Sequence, residues 1–197
     1  MKVAPDEKDA LTELVNIGVG QAASTLNSLI GHKIRLVAPS IEILTIQSII
    51  NNPDISGDRR ISAVSMAFRG SFNGHAALMF SLESARTLVS VLTDETPDSP
   101  QPEELRSGTL AEVGNILLNG VMGSISNMLS VSLNYSAPSY YESAIAVILG
   151  HQQAEAVLMA KANFYVDELC IESDILLFLE IESFSALMAS VNMELAV

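Results

Sequence analysis

The sequence of 197 residues contains no tryptophan and only one cysteine, Cys170. A single cysteine excludes a disulfide within the chain and a cysteine-rich zinc site. Cys170 stands between Leu169 and Ile171, and this apolar setting favours a small buried residue over a nucleophile. Aromatic residues make up 5% of the chain and hydrophobic residues 49%, so the core is predicted to be mainly aliphatic.

Basic residues and long apolar runs are also scarce. The chain has 10 Lys and Arg against 23 Asp and Glu, which gives a net charge of -13. Such a surface repels nucleic acid and anionic lipid, and it suits either a basic partner or simple solubility. No apolar run reaches the roughly 20 residues that a membrane-spanning helix requires, and the first residues contain no apolar signal segment. We therefore expect a cytoplasmic protein that neither binds nucleic acid nor inserts into a membrane.

An internal repeat relates the two halves of the chain. A shift of 99 residues without gaps superposes identical residues along the whole repeat: Glu13 and Glu112, Asn16 and Asn115, Pro39-Ser40 and Pro138-Ser139, Leu78 and Leu177, Glu83-Ser84 and Glu182-Ser183. A polar, proline-rich connector, 93–102, separates the halves. We expect a single domain made of two repeats, about 1–94 and 103–197, that are related by a pseudo-two-fold axis.

The same order of elements is predicted in each half. Apolar periodicity and capping residues predict helices over 6–30, 83–92, 103–129 and 183–193. Strands are predicted near 34–46 with a break at Pro39, and near 61–69, 73–82, 131–136, 154–167 and 169–181. The segment 140–150 is ambiguous between helix and strand. Because the helices are too few to cover two sheets, we expect an α+β fold in which one shared antiparallel or mixed sheet carries the two long helices.

The repeated Glu-x-x-Asn pairs are the candidate functional residues. Residues i and i+3 share a helix face, so Glu13 projects with Asn16 and Glu112 with Asn115. One such pair is ordinary on a solvated helix, but the same pair at equivalent positions of two diverged halves favours a function. An amide can both donate to and accept from one water and can thereby orient it, while a carboxylate can bind a lysine of a partner. Glycines in these helices, such as Gly18, indicate close approach of another backbone or of a docked partner.

At these residues the sequence resembles the CheC/CheX/FliY phosphatases of bacterial and archaeal chemotaxis. The family pattern, Asp or Ser followed by x-x-x-Glu-x-x-Asn, occurs as Asp9-x-x-x-Glu13-x-x-Asn16 in the first half. The second copy, Glu112-x-x-Asn115, has Gly108 at the first position and Ser107 beside it, which leaves open whether both sites work equally. The doubled motif is similar to two-site CheC rather than to CheX, which has one site.

The resemblance implies a hydrolase that removes phosphate from the aspartate of a CheY-like response regulator. In this mechanism Asn16 and Asn115 orient the attacking water, and Glu13 and Glu112 pair with a lysine of the regulator. The Mg2+ belongs to the phosphorylated regulator, so no cofactor and no metal of the chain's own is expected. The deamidase CheD is a further expected partner of CheC proteins. We expect a monomer and leave a dimer open.

Two alternatives remain at this point. Related flagellar-switch proteins keep the fold without the Glu and Asn pair, so the chain could be a non-catalytic adaptor in a receptor array or flagellar switch. It could also be a phosphatase for a regulator outside chemotaxis, because target choice depends on surface details that the motif does not specify.

Overall fold

The computed structural model describes residues 3–30, 34–37, 40–51, 60–96, 101–150, 156–166 and 169–195. The elements of the first half are α1 (Pro5–Ile30), β1 (Ile34–Val37), β2 (Ile41–Leu44), α2 (Ile46–Ile50), β3 (Arg60–Gly70), β4 (Gly74–Ser81) and α3 (Leu82–Leu92). Those of the second half are α4 (Glu103–Met128), β5 (Leu133–Tyr135), β6 (Ser139–Ala144), α5 (Ile145–Gly150), β7 (Ala156–Val166), β8 (Leu169–Leu179) and α6 (Ile181–Leu195). The order of helices and strands is the same in both halves.

The two long helices, α1 and α4, begin and end within one residue of the predicted bounds. At the start of α1, Pro5 occupies the first turn, where its missing N–H costs no helical hydrogen bond. The Glu7 carboxylate accepts a hydrogen bond of 2.7 Å from the backbone N–H of Ala4, which satisfies one donor at the helix start. Both helices carry two acidic residues in the first turn, where they stabilise the positive end of the helix dipole.

In the described part of the chain, eight strands form one sheet and every pairing between them is antiparallel. The order is β1-β7-β8-β4-β3-β5, with β2 also pairing with β7 and β6 also pairing with β3. The centre is therefore the β4–β8 pair, one strand from each half. On either side, the first two strands of one half pair with the third strand of the other half. This arrangement confirms the predicted α+β fold with one shared sheet.

The sheet buries both of its faces, but under different helices. On β4, Leu78 and Phe80 belong to the large core under the long helices, while Ala77 and Met79 belong to a second, smaller core on the opposite face. Such alternation is the period of two that a strand imposes. The second core is closed by the short helices α2 and α5, through residues such as Ile49.

The ungapped shift of 99 residues holds for the helices but not for all strands. Leu78 pairs with Val64 in the first hairpin, whereas its counterpart Leu177 pairs with Leu158 in the second. Val64 therefore corresponds to Leu158, a shift of 94 residues rather than 99. The second hairpin is longer because β8 begins at Leu169, well before the position that matches the start of β4. A shorter connection before β7 restores the common register.

Several local predictions are settled by the structure. The ambiguous segment 140–150 contains both elements, since β6 ends at Ala144 and α5 begins at the next residue. Cys170 is exposed, so the prediction of a buried thiol is wrong. Neighbouring residues of a strand point to opposite faces of the sheet, so the side chain of Cys170 points away from the face on which Ile171 is buried. The predicted break at Pro39 lies outside the described residues.

Candidate functional site

The four candidate residues lie on the outward sides of α1 and α4. Glu13 and Glu112 are exposed, and Asn16 and Asn115 are half-buried beside them. None of the four is buried in the core. Burial there would have excluded contact with a partner. Each helix therefore presents a carboxylate to solvent with an amide one turn further along.

The two motif segments have the same burial pattern, residue by residue. Segments 11–20 and 110–119 show one identical succession of buried, half-buried and exposed side chains at all ten positions. The buried positions, among them Leu14 in α1 and Val113 in α4, anchor each helix in the large core. Because both helices are anchored by the same positions, their Glu and Asn side chains are rotated to equivalent outward orientations.

Close approach of the two helices fixes their relative position. A Cβ atom placed on Gly18 would lie 2.4 Å from Cα of Val121 and 2.8 Å from the carbonyl oxygen of Gly120. A Cβ placed on Gly120 would lie 2.9 Å from the carbonyl oxygen of Gly18. Real Cβ atoms do not approach backbone this closely, so the crossing requires glycine on both helices. These crossing points lie within one or two turns of Asn16 and Asn115.

A hydrogen bond between side chains also joins the helices. Ser124 Oγ of α4 lies 3.2 Å from Gln21 Oε1 of α1 and donates to it. Ser124 is buried, so this bond satisfies a hydroxyl that would otherwise lose its hydrogen bonds to water. Together with the glycine crossing, it joins α1 and α4 side by side in one layer.

The other two glycines of the motif segments differ in their surroundings. A Cβ on Gly114 would lie 2.5 Å from Cγ1 of Val64, so this glycine lets α4 approach β3 of the sheet. A Cβ on Gly20 would meet nothing within 4 Å, and Gly20 is exposed. Close approach of neighbouring elements thus explains Gly18 and Gly114 but not Gly20.

Asn115 has a partner that the sequence did not assign. The side-chain amide nitrogen of Asn119, one turn further along α4, donates to the backbone oxygen of Asn115 at 2.8 Å. The same nitrogen donates to Oδ1 of Asn115, also at 2.8 Å. In the first half the equivalent position is Gly20, which has no side chain. The spacing of four residues on a helix was the available sequence signal for this contact.

The first position of the motif differs between the halves, as the sequence indicated. Asp9 is exposed on α1. Its counterpart Gly108 is also exposed, and a Cβ added there would meet nothing within 4 Å. Ser107 does not take over this position, because its hydroxyl donates to the backbone oxygen of Glu104 at 3.2 Å. The second motif therefore has no polar side chain where the first has a carboxylate.

A polar cluster holds the N-terminal part of α4 against the sheet. The Glu142 carboxylate of β6 lies 2.9 Å from Nη2 of Arg106 and accepts a hydrogen bond of 3.1 Å from the hydroxyl of Tyr140. Arg60 adds a longer contact of 3.5 Å. Burial would raise the pKa of Glu142, but the hydrogen bonds from Tyr140 and Arg106 outweigh burial and lower it. The cluster is a structural support for α4 and lies apart from the Glu and Asn pair.

No three side chains of His, Cys, Asp or Glu within the described ranges are grouped so that they could hold a metal ion. Among the helices described, none is long and apolar enough to cross a membrane.

Comparison with known proteins gives three kinds of match. The model of the CheC-like family matches residues 7–43, a segment that includes the first Glu and Asn pair. The CheY-P phosphatase CheC of Bacillus subtilis (strain 168) is 23% identical over 141 residues, which cover 69% of this chain and 66% of that relative. The chain thus spans just under two thirds of that relative's length.

Two solved structures resemble the chain over nearly its whole length. The crystal structure of Thermotoga maritima FliY has a TM-score of 0.79 at 17% identity and covers 98% of this chain and 100% of its own. A chain of the FliG-FliM complex from H. pylori has a TM-score of 0.71 at 11% identity and covers 95% of this chain and 100% of its own. These structural matches confirm the predicted fold, and the family model and the relative from Bacillus subtilis confirm the predicted resemblance to the CheC/CheX/FliY family.

Proposed function

We propose that the chain is a phosphatase that hydrolyses the phospho-aspartate of a CheY-like response regulator. The observation that carries this proposal is the equal placement of the two Glu and Asn pairs, exposed carboxylate beside half-buried amide, on two helices with the same burial pattern. The relative from Bacillus subtilis, which is a CheY-P phosphatase by name, supports the same activity.

The chemistry available to these pairs fits this reaction. Neither Glu nor Asn offers a strong nucleophile, but an acyl phosphate is attacked by water that needs only to be placed in line with the leaving oxygen. In phosphoryl transfer most of the acceleration comes from such placement and from charge stabilisation. Asn16 and Asn115 would hold the water, while the Mg2+ that neutralises the phosphoryl oxygens would be bound by the regulator.

The carboxylates serve docking in this proposal. Glu13 and Glu112 are exposed, so each can reach a lysine ammonium on an approaching protein without a change in the helix. An ion pair formed at an interface excludes water and fixes the angle at which the neighbouring amide enters the partner's site. Replacing both residues by Gln should raise KM for the phosphorylated regulator by about tenfold and change kcat less.

The experiment that tests the proposal is phosphate release from a phosphorylated CheY-like receiver domain. The parent should accelerate release, and the double variant Asn16→Ala, Asn115→Ala should reduce it to the receiver's own rate, a loss of at least about tenfold. Each single variant should retain one working site. Asn127→Ala is a matched control, because Asn127 is an exposed Asn of the same helix α4 outside the motif. A double variant that hydrolyses as fast as the parent would refute the mechanism.

A non-catalytic adaptor is the second candidate, and the structural match to a chain of the FliG-FliM complex favours it. In that case the parent would bind a switch or receptor protein and leave the lifetime of the phosphorylated receiver unchanged. We propose also that the chain acts in the cytoplasm as one domain, and that a CheD-like deamidase is a further partner. Size-exclusion chromatography with light scattering, with and without CheD, tests the expected monomer and this complex.

A further inference from the structure

The side chain of Asn119 makes two hydrogen bonds to Asn115, and together they can hold the Asn115 side-chain amide in one orientation. One nitrogen donates to two oxygens of the same residue, the backbone oxygen and Oδ1, and both distances are 2.8 Å. Because the backbone oxygen is part of the helix and cannot move, it anchors the Asn119 amide, and the anchored amide then restrains the side chain of Asn115.

The two ends of an Asn amide have nearly the same shape, so packing alone rarely decides which end faces outward. A hydrogen-bond donor decides it, because only the oxygen end can accept. With the donor at position 119, Oδ1 of Asn115 faces along the helix toward Asn119 and the Nδ2 group faces away. The outward group of the second site is therefore an N–H donor in a set position.

We propose that Asn119 is a positioning residue of the second site, one that presets the orientation of the Asn115 amide for the attacking water. This inference rests on the proposed phosphatase function. Asn119 is exposed and touches neither water nor phosphate in this scheme; it acts only through Asn115. An amide that is already oriented loses less conformational freedom when the water and the partner bind.

The first half cannot form the same pair of side-chain hydrogen bonds. The position equivalent to Asn119 is Gly20, where nothing lies within 4 Å of a Cβ position. The two motifs agree in the burial of all ten positions but differ at the position whose side chain donates a hydrogen bond to Oδ1 of Asn115. Any orientation of Asn16 must come from other contacts, so the two sites should differ in their dependence on position 119.

The test measures the second site alone, in the Asn16→Ala background. Asn119→Ala should lower kcat for release of phosphate from a phosphorylated receiver by about three- to tenfold, the effect of freeing one side chain, and should leave KM within about twofold. Asn119→Asp keeps the size but offers only acceptors, so the Asn115 amide should turn its nitrogen toward position 119. Its kcat should therefore fall at least as far as that of Asn119→Ala.

A matched background separates positioning from other roles. In the Asn115→Ala protein, where only the first site works, Asn119→Ala should leave kcat unchanged. An equal loss in both backgrounds would mean that Asn119 supports the fold or the docking surface, and a change confined to KM would mean that it contacts the receiver. Either result would overturn the proposal, as would an unchanged kcat in the Asn16→Ala background.

A spectroscopic measurement keeps the inference testable if the chain is not a phosphatase. In the free parent protein, the side-chain carbonyl carbon of Asn115 should show the NMR shift of a hydrogen-bonded amide, and Asn119→Ala should move it while Asn127→Ala should not. If the shift does not move, the contact does not orient Asn115. If the shift moves but neither parent nor variants accelerate hydrolysis, the proposed function fails while the orientation of Asn115 stands.

Discussion

Gly18→Ala should destabilise the protein, although alanine is the better helix former. In the interior of α1 the replacement removes the conformational freedom of glycine, which by itself would stabilise the helix by about 1 kcal/mol. The added Cβ, however, would lie 2.4 Å from Cα of Val121 and 2.8 Å from the carbonyl oxygen of Gly120. Both obstacles are backbone atoms, so no rotation of a side chain can relieve them.

The magnitude follows from what must move. To restore an ordinary contact, α1 and α4 have to separate by about 1 Å at their crossing, which disturbs the core packed beneath them. Overpacking of this kind costs typically about 1 to 3 kcal/mol, and contact with backbone places Gly18 in the upper part of that range. After subtraction of the gain in helix propensity, we expect a net loss of about 1 to 2 kcal/mol.

Gly20→Ala is the control, because it is the same substitution in the same helix without the obstacle. Nothing lies within 4 Å of its Cβ, so only the propensity gain remains and the protein should become more stable by about 0.5 to 1 kcal/mol. For a chain of this size the two variants should differ in Tm by roughly 5 to 10 °C. Thermal unfolding and urea unfolding, each followed by circular dichroism, measure the Tm and the free energy of unfolding of both variants. If Gly18→Ala is as stable as Gly20→Ala, the close helix crossing is refuted.

Two further predictions concern stability. Glu142→Gln should cost about 1 to 2 kcal/mol of unfolding free energy at pH 7, because it weakens the contact with Arg106. The pKa of Glu142 is lowered in the folded state, so this stability is present above the ordinary pKa of 4.5 and is lost as the pH falls below it. Parent and variant should therefore converge in acid unfolding curves. Glu172→Gln, at an exposed carboxylate of β8, is the control at pH 7, and an equal loss of stability there would contradict the role of the Arg106 contact. Ser81→Ala should cost about 1 kcal/mol in urea unfolding, because Ser81 Oγ accepts from the N–H of Ser84 at the start of α3. The exposed Ser185→Ala in α6 is its control, and an equal loss there would contradict a capping role.

The long elements of the fold were predictable because their sequence signals are local. Each motif helix carries apolar residues over about seven turns, so a few irregular positions do not obscure the period. The short helix α2 was missed, since its five residues are too few to display a period. Its only signal was the capping residue Thr45, whose side chain accepts from the N–H of Ser48 at 3.1 Å. A cap without a periodic segment behind it predicts little.

The candidate residues of the site were predictable from the sequence, but the contacts that hold their side chains were not. The doubled Glu-x-x-Asn spacing placed the four candidate side chains on outward faces, and the structure agrees with that placement. Their catalytic role stays a prediction. The contact of Asn119 with Asn115 needed coordinates, because four-residue spacings of polar residues are common on helices and few of them form a hydrogen bond to Oδ1.

The internal repeat alone did not predict which strands of the two halves pair. This pairing determines whether one half can fold without the other. A duplicated sequence is equally compatible with two sheets or with one, but here β1 and β2 pair with β7 of the other half, and β5 and β6 pair with β3. Each half therefore supplies the outer strands that pair with the other half. A separated first half would lose the strands beside β3, and a separated second half would lose those beside β7, so the edge of β3 or of β7 would be exposed. Because the glycine crossing of α1 and α4 adds a second connection between the halves, neither motif helix can keep its position alone. We expect the residues 1–94 expressed alone to remain unfolded or to pair with a second copy, and the two sites to be lost or retained together.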